Sequence, residues 1–228
     1  MSARGDLALI EAEVISCRSC PRLVEWRERV AREKRAAFAD DTYWGRPVPG
    51  FGDPRAAVFI IGLAPAAHGG NRTGRIFTGD RSGDWLFASL HRCGFANQPT
   101  SVRRDDGLRL KNAYVGAAVR CAPPDNKPTP AERDNCSTYL ERELAALKDL
   151  RCIVALGSYA WDSALRGHVA LGRARPRPKP RFGHGAEADL GEYVLLGSFH
   201  PSQQNTFTGK LTEEMLDAVF RRAADLAR

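Results

Sequence analysis

AAVFIIGLAPAAHGGNRTGRIFTGD, residues 56–80, joins an unbroken apolar run to a glycine-rich loop, and that junction decides the fold. Four such runs occur, at 56–62, 113–119 (AYVGAAV), 152–157 (CIVALG) and 193–199 (YVLLGSF). Each is short and apolar on both faces, the pattern of strands in a parallel sheet covered by helices. Helical patterns surround them at 6–16, 21–38, 82–93, 130–148, 158–166 and 211–227. Pro130 falls in the first turn of its helix, where a missing N–H does no harm. Strand alternating with helix implies right-handed crossovers. We therefore predict an α/β fold: a three-layer α/β/α sandwich with a central, mostly parallel four-stranded sheet. A length of 228 residues with 43% hydrophobic content suits a single domain over 1–228.

Open sheets of this kind place their working residues on loops at the carboxyl ends of the strands. The unusual motifs fall there: GLAPAAHGG after the first run, RCAPPDN after the second and SFHPSQQN at the last. The first loop lacks the Gly-Lys-Ser/Thr of a Walker phosphate loop and the G-x-G-x-x-G of a dinucleotide fold. A plain turn, with glycine and proline serving backbone geometry, is the bland alternative. Function is favoured by the company in that loop: His68, Asn71, Arg72, Arg75, Phe77 and Asp80. A lone histidine at a strand end is usually structural, but His200 belongs to one of three polar loops meeting at one rim.

Lys plus Arg outnumber Asp plus Glu by 34 to 27, a net charge of +7, which makes a polyanion a plausible partner. No run approaches a membrane span of about 18 apolar residues, and the start lacks the order of a signal peptide. A cytoplasmic, monomeric protein is expected. Six cysteines in a reducing compartment call for metal, catalysis or burial and not a disulfide framework. Cys17-x2-Cys20 and Cys121-x14-Cys136 have ligand-like spacing, whereas Cys93 and Cys152 sit in apolar patterns and read as buried small side chains. On ligand type alone, four thiolates suit structural zinc as well as iron–sulfur.

GLAPAAHGGNRTGRIFTGDRSGDWLF (62–87), VRCAPPDNKPTP (119–130) and HPSQQNTFTGKLT (200–212) resemble, in order, the three motifs of the family 5 uracil-DNA glycosylases, the broad-specificity B type of bacteria and archaea. The likeness runs from Cys17 to Thr212. It implies an enzyme that everts a deaminated base from DNA and hydrolyses its N-glycosidic bond. Phe77 would then stack on the base, although burial in the core is an equal reading of that residue alone. The backbone of Gly62, Leu63, Ala64, Pro65, Ala66 and Ala67, with His68 beside it, would meet the base edge. The leaving base gathers negative charge and the sugar positive charge, so opposite groups belong on opposite sides of the bond. His200 would donate to a base carbonyl, Asp80 would orient water or offset the sugar cation, and Asn126 would help hold that water.

Two departures from related families matter. The first motif carries no polar residue soon after Gly62, which leaves Asp80 as the carboxylate of this loop. Ala117 stands where the family 4 enzymes carry a uracil-reading Asn, so tolerance of hypoxanthine and xanthine beside uracil is expected. The resemblance also implies a [4Fe–4S] cluster on Cys17, Cys20, Cys121 and Cys136, tying in the helical segment 1–50. Arg72, Arg75, Lys127 and Lys210 flank the loops as DNA contacts, and Ser202, Gln203, Gln204 and Asn205 form a tip placed to enter the vacated stack. The basic stretch at 173–181 (Arg173, Arg175, Arg177, Lys179, Arg181) reads as a solvated surface loop or a phosphate contact. A rival of another class is an iron–sulfur protein that binds lesions in DNA without turnover.

Overall fold

The four apolar runs form parallel strands because both their faces are buried. The structure, a computed structural model, describes residues 2–228. Its elements run α1 (Ala3–Ser16), α2 (Pro21–Glu33), β1 (Phe51–Gly52), β2 (Val58–Gly62), α3 (Gly70–Thr73), α4 (Arg81–Arg92), β3 (Ala113–Ala117), α5 (Pro130–Ala146), β4 (Cys152–Leu156), α6 (Ser158–Ala170), β5 (Glu187–Asp189), β6 (Val194–Ser198), α7 (Gln203–Phe207) and α8 (Glu213–Leu226). The sheet order is β1-β3-β2-β4-β6-β5. The inner four strands are parallel, and the two edges pair antiparallel. The sheet thus has six strands, not four. Edge strands of two and three residues are too short to carry a periodic signal.

Alternate residues of each strand serve opposite layers. Val58, Ile60, Val115, Val154 and Leu196 pack with Leu86, Phe87 and Leu90 of α4 and Leu216, Val219 and Phe220 of α8. Phe59, Ile61, Tyr114, Ile153 and Leu195 pack with α1, α5 and α6 through Leu7, Val14, Leu140, Leu144 and Trp161. The register pairs Gly62 with Ala117 and Leu156 with Ser198, so the strands end nearly level and their loops share one rim.

Local chemistry sets the helix ends. The pattern predicted over 21–38 stops at Glu33, because Lys34 turns to φ 56° and only a 3-10 turn, Ala36–Phe38, follows. Helix α5 opens with a reciprocal cap between Thr129 and Glu132. Helices α3 and α7, four and five residues long, lie within stretches expected to be loop, since neither spans two helical turns and so neither carries a periodic pattern.

One buried ion pair ties the second layer to the sheet. Arg120, just past β3, donates to Glu143 of α5 at 2.5 Å, and both are 1% exposed; Tyr114 also donates to Glu143, at 3.4 Å. A buried carboxylate left without its partner is strongly destabilising, as is the converse. Glu143→Ala should therefore lower the unfolding free energy by about 3–5 kcal/mol. Arg120→Met with Glu143→Leu should recover most of that loss; urea denaturation of the three chains measures both effects.

Candidate active site

The rim is organised by one tight contact. Gly62 ends β2, and a Cβ placed on it would lie 2.6 Å from Cζ of Phe77, so the phenyl edge rests on bare backbone. Phe77 holds φ 52°, which for a bulky residue costs about 1–3 kcal/mol. Helix α4 fixes it from the other side: a Cβ on Gly83 would come within 2.0 Å of the Phe77 carbonyl oxygen. The Phe77 ring lies 5.8 Å from that of His200, tilted by 34°. At 5% exposure Phe77 is part of the core on the α4 side as well as a wall of the rim.

His200 follows β6 and sits beside Gly157, whose φ of 95° carries the chain from β4 into α6. Its carbonyl accepts from Nδ2 of Asn205 at 2.9 Å, which locks the loop onto α7. Burial lowers the imidazole pKa to about 4, so at neutral pH the ring is uncharged and offers one N–H. Asp80 caps α4, accepting the Gly83 amide on Oδ1 at 3.0 Å. Burial raises its pKa above the ordinary carboxylate range, against the pull of that amide. Its carboxylate presses on Gly69, where a Cβ would stand 2.0 Å from Oδ2.

In the loop between them, the amides of Ala64, Ala66, Ala67 and His68 donate to no protein acceptor among the described residues. The carbonyls of Gly62, Leu63 and Ala66 are already used inside the chain. Pro65 brings no N–H at all. Nδ1 of His68 pairs with the Tyr43 hydroxyl at 3.0 Å, and burial lowers the pKa of this ring too. Ala117 is buried at the end of β3 opposite Gly62. Asn126 lies elsewhere on the rim, exposed on a 3-10 turn in which both it and Asp125 hold positive φ. Phe77 thus meets both Gly62 and His200, and Asp80 caps α4, the helix that fixes Phe77 from its other side.

Two expected DNA contacts are corrected. Arg75 is 5% exposed and spends its guanidinium on Thr78, Ser101, Asp106 and the Arg104 carbonyl. Arg72 donates to the His68 and Gly79 carbonyls and to Asp41, and lies 3.9 Å over the Phe38 ring. Both are struts that shape the loop; neither can reach a phosphate without giving up several bonds. Lys127 is exposed, and Lys210 reaches over the Phe199 ring at 4.9 Å. Ser202 caps α7, and Gln203 and Gln204 lie exposed on its first turn.

Cys20, Cys121 and Cys136 share one buried cluster with Leu23 and Val119. Buried Arg27 joins Cys17 to them, donating to Sγ of Cys121 at 3.0 Å and to the Cys17 carbonyl at 3.3 Å. Asn135 donates to Cys20 Sγ at 3.5 Å. Among the described residues, no three Cys, His, Asp or Glu side chains converge closely enough to hold a single metal ion. Cys93 and Cys152 lie apart from this nest, Cys152 in the core of β4.

Sequence reading missed Gly69, Gly83 and Arg27, and it gave Asn205 as a DNA contact without the bond to the His200 carbonyl. Gly69 stands in a Gly-Gly pair and Arg27 in an amphipathic helix, where nothing in the pattern distinguishes a packing contact from an ordinary turn or surface cation.

Fold and rim define an α/β enzyme of the covered parallel-sheet class, with its site at the carboxyl ends of the strands. A model of the uracil DNA glycosylase superfamily matches residues 49–224. The chain is 58% identical over 225 residues to the type-5 uracil-DNA glycosylase of Mycobacterium bovis, covering 98% of this chain and 82% of that protein. It is 54% identical over 225 residues to the type-5 uracil-DNA glycosylase of Mycobacterium leprae (98% and 96% covered) and 53% identical over 213 residues to that of Thermus thermophilus (93% and 94% covered). The chain belongs to the uracil-DNA glycosylase superfamily, among its type-5 members.

The half-buried, desolvated imidazole gives a measurable sign. An unfolded histidine titrates near 6.5 and His200 near 4, so the unfolded chain binds an extra proton between those values. The stability supplied by neutral His200 is full above pH 6.5 and drains away as pH falls towards 4. Between pH 7 and 4.5, urea unfolding of the native chain should lose about 2–3 kcal/mol more than His200→Gln does. Equal losses would refute the neutral ring.

Proposed function

We propose that the protein is a monofunctional DNA glycosylase that removes uracil from DNA, and hypoxanthine and xanthine with it, leaving an abasic site. The observation that carries this is the contact of Phe77 with both Gly62 and His200 at the rim, beside a loop with free amides. An everted base brought against the Phe77 ring meets those amides along its edge. The neutral His200 donates to a base carbonyl and stabilises the charge that builds on the leaving base. Asp80, at the other side of the loop, offsets the charge on the sugar and directs the attacking water. Asn126 meets that water once DNA lies over its exposed turn. Ala117 presents no bidentate side chain to read the base, so bases of different edge pattern are admitted.

The donor set of four cysteines fits a [4Fe–4S] cluster, and on ligand type alone structural zinc equally. Burial drives the Cys121 and Cys136 thiols up to about 12 and about 11, so metal must displace their protons. Arg27 sets an almost fully buried cation against this nest, with its Nε unpartnered, a charge suited to anionic thiolates. Cys17, Cys20, Cys121 and Cys136 would hold the cluster, which supplies cross-linking of the N-terminal helices to the strand β3 side.

Duplexes carrying uracil, hypoxanthine or xanthine, cut by alkali after incubation, test the activity. All three should yield breaks. Asp80→Asn keeps a helix cap and should leave stability within about 0.5 kcal/mol, yet reduce excision by about 10²-fold or more, as should His200→Ala. Excision of uracil alone would defeat the proposed breadth; full activity in Asp80→Asn would defeat its role. Protein purified without air should be brown and hold about four irons, and Cys121→Ser should lose both colour and iron; zinc in place of iron would overturn the cluster.

A further inference from the structure

We propose that residues 175–181 form a fixed basic arm that grips the phosphate backbone of duplex DNA beside the excision site. The inference builds on the DNA-repair activity above. The stretch 171–185 carries five cations and no carboxylate. A merely solvated loop has no need of anchors, yet this one is pinned along its length. Nε2 of His168 donates to the Ala174 carbonyl at 3.1 Å, and Nε1 of Trp161 to the Pro180 carbonyl at 3.2 Å. Phe182 packs edge-on against Trp161, 6.0 Å between centroids, and near Phe199 at 6.4 Å. Beyond it, Gly185 donates to Gly197 and Gly197 to Ala186, both at 2.8 Å. Nδ1 of His184 accepts the Phe199 amide at 3.2 Å.

These anchors give the arm a direction. His168 lies in the last turns of α6 and Trp161 in its first turn, about 10 Å apart along the helix. The arm therefore climbs α6 from foot to rim and ends against Phe199, the residue before His200. Its cations divide into two sets. Arg173 is held by Glu192 and Tyr193, and Lys179 pairs with Asp162 at 2.8 Å. Arg175, Arg177 and Arg181 are exposed and have no hydrogen bond or ion pair among the described residues. Three unpaired guanidiniums on an anchored support, adjoining Lys210 at the same rim, match the charge of a DNA strand leaving the site.

The test is the salt dependence of binding to a 30-base-pair duplex carrying a non-cleavable abasic analogue. Each lost phosphate contact flattens the slope of log affinity against log salt by about 0.9. Replacing Arg175, Arg177 and Arg181 together by Gln should flatten it by about 2–3, with an unchanged Tm, and the three lysine replacements should restore it. Single replacements should rank Arg181 above Arg177 above Arg175. An unaltered slope in the triple Gln chain would overturn the arm, as would failure of the lysines to restore it. Loss of binding only to phosphatidylserine vesicles, with duplex binding intact, would also overturn it. Absence of base excision by the native chain would overturn the activity instead, and leaves the slope readable.

Discussion

The architecture of the rim depends on a phenyl ring meeting backbone with nothing between. Phe77 can lie on β2 only because Gly62 has no side chain, and α4 can start where it does only because Gly83 lets the Phe77 carbonyl in. Positive φ at Phe77 is the strain that this double contact sustains. The strain is tolerable because the surrounding core, from Ile60 to Leu86, is closely packed and over-determines the position. Once the ring is placed, the start of α4 is placed, and with it Asp80 as its cap. The carboxylate then comes to lie on Gly69. One contact thus places both the ring that meets His200 and the residue that caps α4.

Burial then tunes those groups in a consistent sense. It holds His200 neutral and pushes the Asp80 pKa upward, and it reduces the screening that water would otherwise impose on both groups. Such groups act most strongly on charge that develops only during reaction, because nothing must be reorganised at that moment. The two arginines nearest the loop serve the same end indirectly. Arg75 and Arg72 bind carbonyls, hydroxyls and carboxylates around residues 68–79, fixing the backbone whose amides face the rim.

Much of this was legible in the sequence. The four inner strands appear as apolar runs because both faces are covered, and the rim motifs stand out because glycine, proline and histidine cluster where strands end. The edges were illegible: Phe51–Gly52 and Glu187–Asp189 are held by pairing to a neighbour and not by a pattern of their own. Arg72 and Arg75 misled for a related reason. A cation in a polar loop looks the same in one dimension whether it meets phosphate or a buried Asp106. Gly69 and Gly83 carry no one-dimensional sign at all, since what they admit is a side chain or carbonyl brought in by the fold.

Recognition of a base by backbone has an energetic consequence for selectivity. Side chains that hydrogen-bond a base edge reject analogues sharply, because a mismatched edge leaves a buried polar group unpaired. A loop of amides backed by Ala64, Ala66 and Ala67 has little of this leverage, and Ala117 removes more. Discrimination must then come earlier, in the free energy needed to bring the base out of the stack, which is lowest for mispaired bases. Deaminated bases share that property whatever their edges. On the reading proposed above, a site of this construction would favour damage as a class over one damaged base, and the same glycines and alanines that shape the rim would account for the proposed breadth.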